Sequence, residues 1–211
     1  KNLYDIIIVG GGPVGATVAS ALKSSEKKTL LIEEKKISAL IGNTRILALS
    51  TSSKHVLDSI GAWNNLSDVT PISSINISQK NGFGQANIEA KDNGMSALGY
   101  TVKYGDLVQS IFETVKQSSL EILDKTKVHQ IQLDTDCVKL NLVNQKSLDL
   151  KTRLLVLCNG SSNIVNQTET VHNKVEYKQI AVSCMIATSK PHCGEAFERF
   201  GKHGPVALLP Y

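Results

Sequence analysis

The stretch Tyr4-Asp5-Ile6-Ile7-Ile8-Val9-Gly10-Gly11-Gly12-Pro13-Val14-Gly15-Ala16 decides the fold. Ile6 to Val9 is apolar throughout, so it reads as a strand buried on both faces of a parallel sheet. Gly10 to Pro13 is a turn. Pro13 suits the first turn of a helix, where its missing N–H would have had no partner. Val14 to Ser24 then reads as a helix of small residues (Ala16, Thr17, Ala19, Ser20, Ala21), which let it lie close to a sheet. Thr29 to Glu33 is a second short apolar strand. A strand, a helical crossover and a second strand over about thirty residues make the two strands parallel.

Within this unit Gly10-x-Gly12-x-x-Gly15 has a mechanical reading. Gly10 permits the tight turn, Gly12 lets the backbone touch a pyrophosphate, and Gly15 lets helix and strand pack closely. The helix N-terminus offers unpaired N–H groups and the positive end of its dipole to phosphates. Glu33 ends the second strand roughly twenty residues on, where a carboxylate accepts from ribose hydroxyls and repels the 2′-phosphate of NADP. Glu34 is adjacent and stays an alternative, although the strand's alternation favours Glu33. Glycine-rich turns alone are common; here strand, turn, helix, strand and terminal acid agree on a dinucleotide site. The competing reading is a βαβ unit with an empty turn.

Outward from this unit, Arg45 to Ile60 reads as an extended entry followed by a helix capped by Ser50 or Thr51 and ended by Gly61. Pro71 to Asn93 carries strand and turn chemistry. Asp106 to Ser118 has helical rhythm in Leu107, Val108, Ile111, Phe112 and Val115. Short alternating segments around Val128 to Leu133, Val138 to Leu142 and Leu148 to Leu150 resemble a β-meander. Leu154 to Leu157 reads as one more buried parallel strand, running into an Asn159-Gly160 turn. Ile180 to Thr188 and Val206 to Leu209 are further strand candidates.

The 211 residues suffice for one large domain or two small ones. With 41% apolar and 20% charged residues, the composition is that of an ordinary globular protein. The net charge of +4 is spread over short clusters such as Lys27-Lys28 and Lys35-Lys36, without the basic stripe and interleaved aromatics that nucleic-acid binding requires. No apolar run approaches the ~18 residues of a membrane-spanning helix, and Ile6 to Val9 is too short for a signal peptide. Four scattered cysteines form no C-x-x-C pair, consistent with reduced thiols in the cytoplasm. His192-Cys193 lacks matching partners, so no metal site is expected. Lys1 at the start and the apolar Val206 to Tyr211 ending suggest a truncated chain.

In the order of its motifs the chain resembles the FAD-dependent aromatic hydroxylases of ubiquinone biosynthesis, and among them the 2-polyprenyl-6-methoxyphenol hydroxylase branch. The resemblance runs from Tyr4 to Tyr211. It rests on Ile7 to Ala16, Leu31-Ile32-Glu33, Thr44 to Leu49, Ile60 to Trp63 and Ala97 to Val102. Its most specific part is Ala196 to Pro205 with Leu208-Leu209-Pro210. It implies an α/β fold: a Rossmann-like FAD-binding domain of parallel sheet plus β-meander, with part of a second, β-rich substrate domain, as in p-hydroxybenzoate hydroxylase-like flavoproteins. The expected boundaries are 1–70 with 100–168 for FAD binding, and 71–99 with 169–211 for the substrate domain.

The resemblance also implies roles. FAD is the cofactor, held by Gly10, Gly12, Pro13, Val14, Gly15 and Glu33. Arg45 matches an arginine that approaches the flavin end, Val128 a strand residue whose backbone meets the adenine, and Asn159-Gly160 an Asp-Gly motif near the pyrophosphate and the nicotinamide path. NAD(P)H is the implied reductant and a flavin C4a-hydroperoxide the implied oxidant of a polyprenylated phenol. No catalytic acid or base is assigned, because the flavin carries the chemistry. Arg199 is a candidate orienting residue; His203 reads as a surface or satisfied histidine. A prenyl tail implies work at the inner-membrane surface or in a ubiquinone-biosynthesis complex; an uncovered apolar surface implies a possible homodimer. The chain departs from the family pattern at Asn159 (neutral for acidic), Asn163 (for serine), Lys103 and Asp106. The family's later Gly-Asp motif under the flavin is not reached, so the expectation is an inactive half. Alternatives are a cofactor-free remnant of the fold or another FAD oxidoreductase; a flavin disulfide reductase would need the missing C-x-x-C.

Overall fold

The computed structural model describes residues 3–116, 118–143, 149–160 and 175–211. The chain opens with β1 (Leu3–Val9), α1 (Pro13–Ala21), β2 (Thr29–Ile32), α2 (Ile37–Ile41), β3 (Ile46–Ser50) and α3 (Thr51–Ser59). It continues through β4 (Val69–Ile72), β5 (Ser74–Gln79), β6 (Gln85–Glu89), β7 (Gly99–Lys103) and α4 (Tyr104–Glu113). The described elements end with β8 (Glu121–Leu123), β9 (Lys127–Leu133), β10 (Val138–Val143), β11 (Asp149–Leu157), β12 (Glu195–Gly201) and β13 (Gly204–Leu208).

Two compact units result. The first takes Lys1–Thr44, Leu57–Leu66 and Tyr104–Lys174. It holds a six-stranded sheet in the order β8-β2-β1-β11-β10-β9. β1 pairs in parallel with both β2 and β11, as the crossover helix requires. Successive residues of β1 point to opposite faces, and both faces are covered. Ile7 and Val9 join Leu30, Ile32, Val128 and Leu140 in one cluster; Ile8 joins Leu31 and Ala19 of α1 in another. Ile7 and Ile8 are both 0% exposed, and burial of this kind contributes roughly 1.5–3 kcal/mol per side chain.

The second unit takes Arg45–Val56, Ser67–Lys103 and Val175–Tyr211. Its two sheets run β13-β12-β5-β6 and β3-β7-β4. Residues 45–56, 67–70 and 100–103, expected with the FAD-binding segments, fall in this unit because β3 and β4 both ladder onto β7.

The helix caps follow local chemistry. Ser53 N–H donates to Ser50 Oγ at 3.1 Å, so Ser50 rather than Thr51 caps α3. The helix ends at Gly61, whose φ of +79° suits glycine. Three expectations change. Leu150 and Leu154 to Leu157 do not lie in separate strands, and Leu148 lies outside the described residues. β11 is one strand whose N-terminal half pairs antiparallel with β10, while β1 runs parallel alongside it. Leu154 is 53% exposed, so that segment is not buried throughout. Ile180 to Thr188 carries no strand pairing among the described residues. Its apolar side chains lie open, Ile180 at 91% and Val182 at 89%, and no described strand ladders with it. The short elements α2 and β8 have no counterpart in the sequence reading.

Candidate functional site

The carboxyl ends of β1, β2 and β11 come together in the first unit, the place where open parallel sheets bind ligands. Gly10 has a φ of +106°, and a Cβ there would meet the Cys158 carbonyl oxygen at 2.6 Å and the Asn159 nitrogen at 2.8 Å. The turn after β1 therefore lies directly on the turn after β11, and Cys158 N–H donates to Val9 O at 2.7 Å. A Cβ on Gly15 would overlap the Gly10 carbonyl oxygen. The close-packing roles of these two glycines are thus visible as backbone contacts.

Gly12 differs. Among the described residues a Cβ there would meet one neighbour, the Tyr104 hydroxyl at 3.1 Å. Gly12 is also the N-cap of α1, with no side chain bonded to that end and Pro13 in the first turn. Val14, on the same turn, is 66% exposed. A bare backbone and an uncapped helix N-terminus lie together there, with the Tyr104 hydroxyl over Gly12, and the unpaired N–H groups of such a helix end suit phosphates.

Glu33 follows β2 and is 8% exposed. Its Oε2 accepts from Gly11 N–H at 2.6 Å and its Oε1 from Lys35 N–H at 2.8 Å. Its backbone is held to the end of β8 and the residues after it: Glu33 N–H donates to Leu123 O, and Thr126 N–H to Glu33 O, each at 2.9 Å. Glu34 instead lies exposed and pairs with Lys127 Nζ at 2.8 Å. Of the two acids, Glu33 therefore faces the glycine turn. Two residues beyond Thr126 comes Val128, 2% exposed with its side chain in the core, so only its backbone is available for a cofactor.

Asn159 is half-buried at the end of β11, and Gly160 has a φ of +68°. Burial pushes the Cys158 thiol up from its ordinary range, which suits a packing side chain rather than a nucleophile. Arg45 lies on the exposed connection before β3, in the second unit. Arg199 is exposed on β12, and His203 is exposed in the turn between β12 and β13. Asn163 lies outside the described residues. Sequence reasoning missed Tyr104 and Thr126. Each reaches the site by a contact distant in the chain, which no local spacing signals.

A parallel βαβ unit with a glycine-only bend, an uncapped helix N-terminus and a buried acid after the second strand defines a dinucleotide-binding protein. The chain matches the FAD binding domain family over residues 3–195 and belongs to that family. The residues present fit FAD: the Gly12 bend at the start of α1 would take the pyrophosphate, and Glu33 would take the ribose.

Among its relatives are the ubiquinone biosynthesis monooxygenase COQ6 of Dictyostelium discoideum, 24% identical over 99% of this chain and 50% of that one. Ubiquinone hydroxylase UbiL of Rhodospirillum rubrum is 27% identical, over 99% and 49%. The chain thus spans about half the length of these curated relatives. In fold it is similar to the flavin-dependent monooxygenase PieE, solved with FAD and substrate. The TM-score is 0.60 at 19% identity, over 78% of this chain and 32% of that one.

Proposed function

We propose that the protein is an FAD-dependent monooxygenase that hydroxylates a polyprenylated phenol in ubiquinone biosynthesis, with NAD(P)H as reductant. The observation that carries this reading is Glu33. It is buried and it packs against Gly11, whose N–H it accepts, at the carboxyl ends of parallel strands. The names of the ubiquinone hydroxylase relatives support the substrate class. Bound FAD supplies the electron transfer and oxygen activation. The chain's own residues bind and orient it. The N-terminus of α1 with Gly10, Gly12, Pro13, Val14 and Gly15 holds the pyrophosphate. Glu33 holds the ribose, Val128 offers backbone to the adenine, Asn159-Gly160 borders the phosphates, and Arg45 serves the flavin end.

Segments 71–99 and 169–211 belong to the substrate side in this reading. A prenyl tail places the enzyme at a membrane surface from the cytoplasmic side, alone, as a homodimer or within a biosynthetic complex. No helix among the described residues is long and apolar enough to cross a membrane, so such contact would be peripheral as far as these helices go.

The test uses protein expressed from its complete gene. Flavin fluorescence is titrated with wild type and Gly12→Val, and NADH and NADPH oxidation is followed with and without a short-chain prenylphenol. Expected are FAD binding by wild type only, and nicotinamide oxidation stimulated by the phenol with hydroxylated product. Equal FAD affinity in the two proteins rejects the phosphate placement. Binding without product rejects the monooxygenase reading.

A further inference from the structure

The first residue of α4 is a tyrosine whose hydroxyl lies over Gly12, 3.1 Å from the place its Cβ would occupy. Tyr104 is 8% exposed, so its position is set by packing rather than by solvent. The helix start is fixed from behind: Gly105 N–H donates to Asn43 O at 2.9 Å. A Cβ on Gly105 would overlap the Ile41 carbonyl oxygen, so the backbones at this point are in contact. The buried face of α4 carries Leu107, Val108 and Ile111. From this anchored start the ring reaches Gly12. Among the described residues its hydroxyl is the only atom within 4 Å of the place a Gly12 Cβ would occupy, apart from the chain neighbours.

The two helix starts in this region are not equivalent. α4 has Asp106 in its first turn, which answers its own dipole and repels an anion. α1 has no acid in its first turn and no side-chain cap. An anion drawn to this region therefore settles on α1, and the group standing over that spot is the Tyr104 hydroxyl. A phenol O–H is a donor, and a phosphate oxygen is an acceptor.

We propose that Tyr104 is a further binding residue for the cofactor, donating a hydrogen bond through its hydroxyl to a pyrophosphate oxygen seated over Gly12. This rests on the FAD reading above. Tyr104 adds from α4 a side-chain donor to a site whose other donors are backbone N–H groups of α1. The phosphates are then held between two helices of the first unit.

The test measures equilibrium binding to the full-length protein rather than turnover. FAD is titrated by flavin fluorescence, and ADP and adenosine by competition, for wild type, Tyr104→Phe and Gly12→Val. Unfolding midpoints without ligand are taken in parallel. Phenylalanine keeps the ring and its packing, so the ligand-free midpoint should hold. Loss of one hydrogen bond to a charged group should raise the Kd of FAD and of ADP roughly tenfold or more. The Kd of adenosine, which has no phosphate, should not change. If Tyr104→Phe binds FAD and ADP like wild type while Gly12→Val does not, the hydroxyl makes no phosphate contact and the proposal falls alone. An equal loss for adenosine overturns it too, since that marks general damage to the pocket. If wild type itself binds neither FAD nor ADP, the FAD reading falls and takes this proposal with it.

Discussion

β1 of the first unit and the β12–β13 hairpin of the second are both rich in apolar residues, yet they meet opposite fates. Ile7 and Ile8 are sealed, one beneath the meander strands and one beneath α1. On the hairpin, Phe200 is 45% exposed, Val206 66% and Leu208 45%. Apolar content therefore does not decide burial; a second layer over the sheet does. The cofactor turn grows from the sealed strand, where both neighbours fix the backbone. That rigidity lets three bare glycines hold one conformation.

Substitutions can break this contrast, in order of expected effect. Gly15→Val should cost the most, about 4 kcal/mol or more, because the new side chain has the Gly10 carbonyl in its place. Urea titration should show it largely unfolded, and a midpoint close to wild type would disprove the close packing. Ile8→Ala should cost about 2–5 kcal/mol by the same measurement, the range for opening a cavity in a closed core. Glu33→Ala leaves Gly11 N–H without its acceptor. It should cost about 1–3 kcal/mol and weaken FAD binding as well, which separates it from Ile8→Ala.

Tyr4, in the same cluster as Ile7, gives a pH signature. Burial, joined by the hydrogen bond to Glu121, pushes its phenol up to about 12. The folded state then keeps a proton that the unfolded state releases near 10, so stability should fall as pH rises from about 10 to about 12. Below pH 10 the group contributes no slope, and Tyr4→Phe should flatten the alkaline limb. An unchanged alkaline limb in that variant would show that Tyr4 titrates alike in both states. Smallest of all, Val206→Thr on the open hairpin should stay within about 0.5 kcal/mol. A larger loss would mean that face is covered in solution.

The sequence makes the βαβ unit legible because each of its devices is local. An unbroken apolar run marks β1, glycines at fixed offsets mark the turn, and an acid follows the last apolar residue of β2. Alternation favours Glu33 over Glu34, and in the structure Glu33 accepts from Gly11 N–H while Glu34 pairs with Lys127. What is not legible depends on distant partners. Tyr104 meets Gly12 across 92 residues of chain, through packing that no periodicity announces. β8 exists because Glu121–Leu123 ladders onto β2, not because three residues of mixed character favour a strand. Ile180 to Thr188 shows the converse, β-like composition with no pairing strand among the described residues. The role of Arg45 comes from likeness alone, since its position in the second unit carries no geometry toward the turn.

The continuity of β11 has a consequence for how this protein tolerates change. A single strand is clamped along one edge by β10 and along the other by β1, and it delivers Asn159 beside Gly10. It behaves as a ruler. Adding or deleting one residue between Thr152 and Leu157 would invert every later side chain across the sheet and swing Asn159 to its opposite side. Length in that span should be far less forgiving than chemistry.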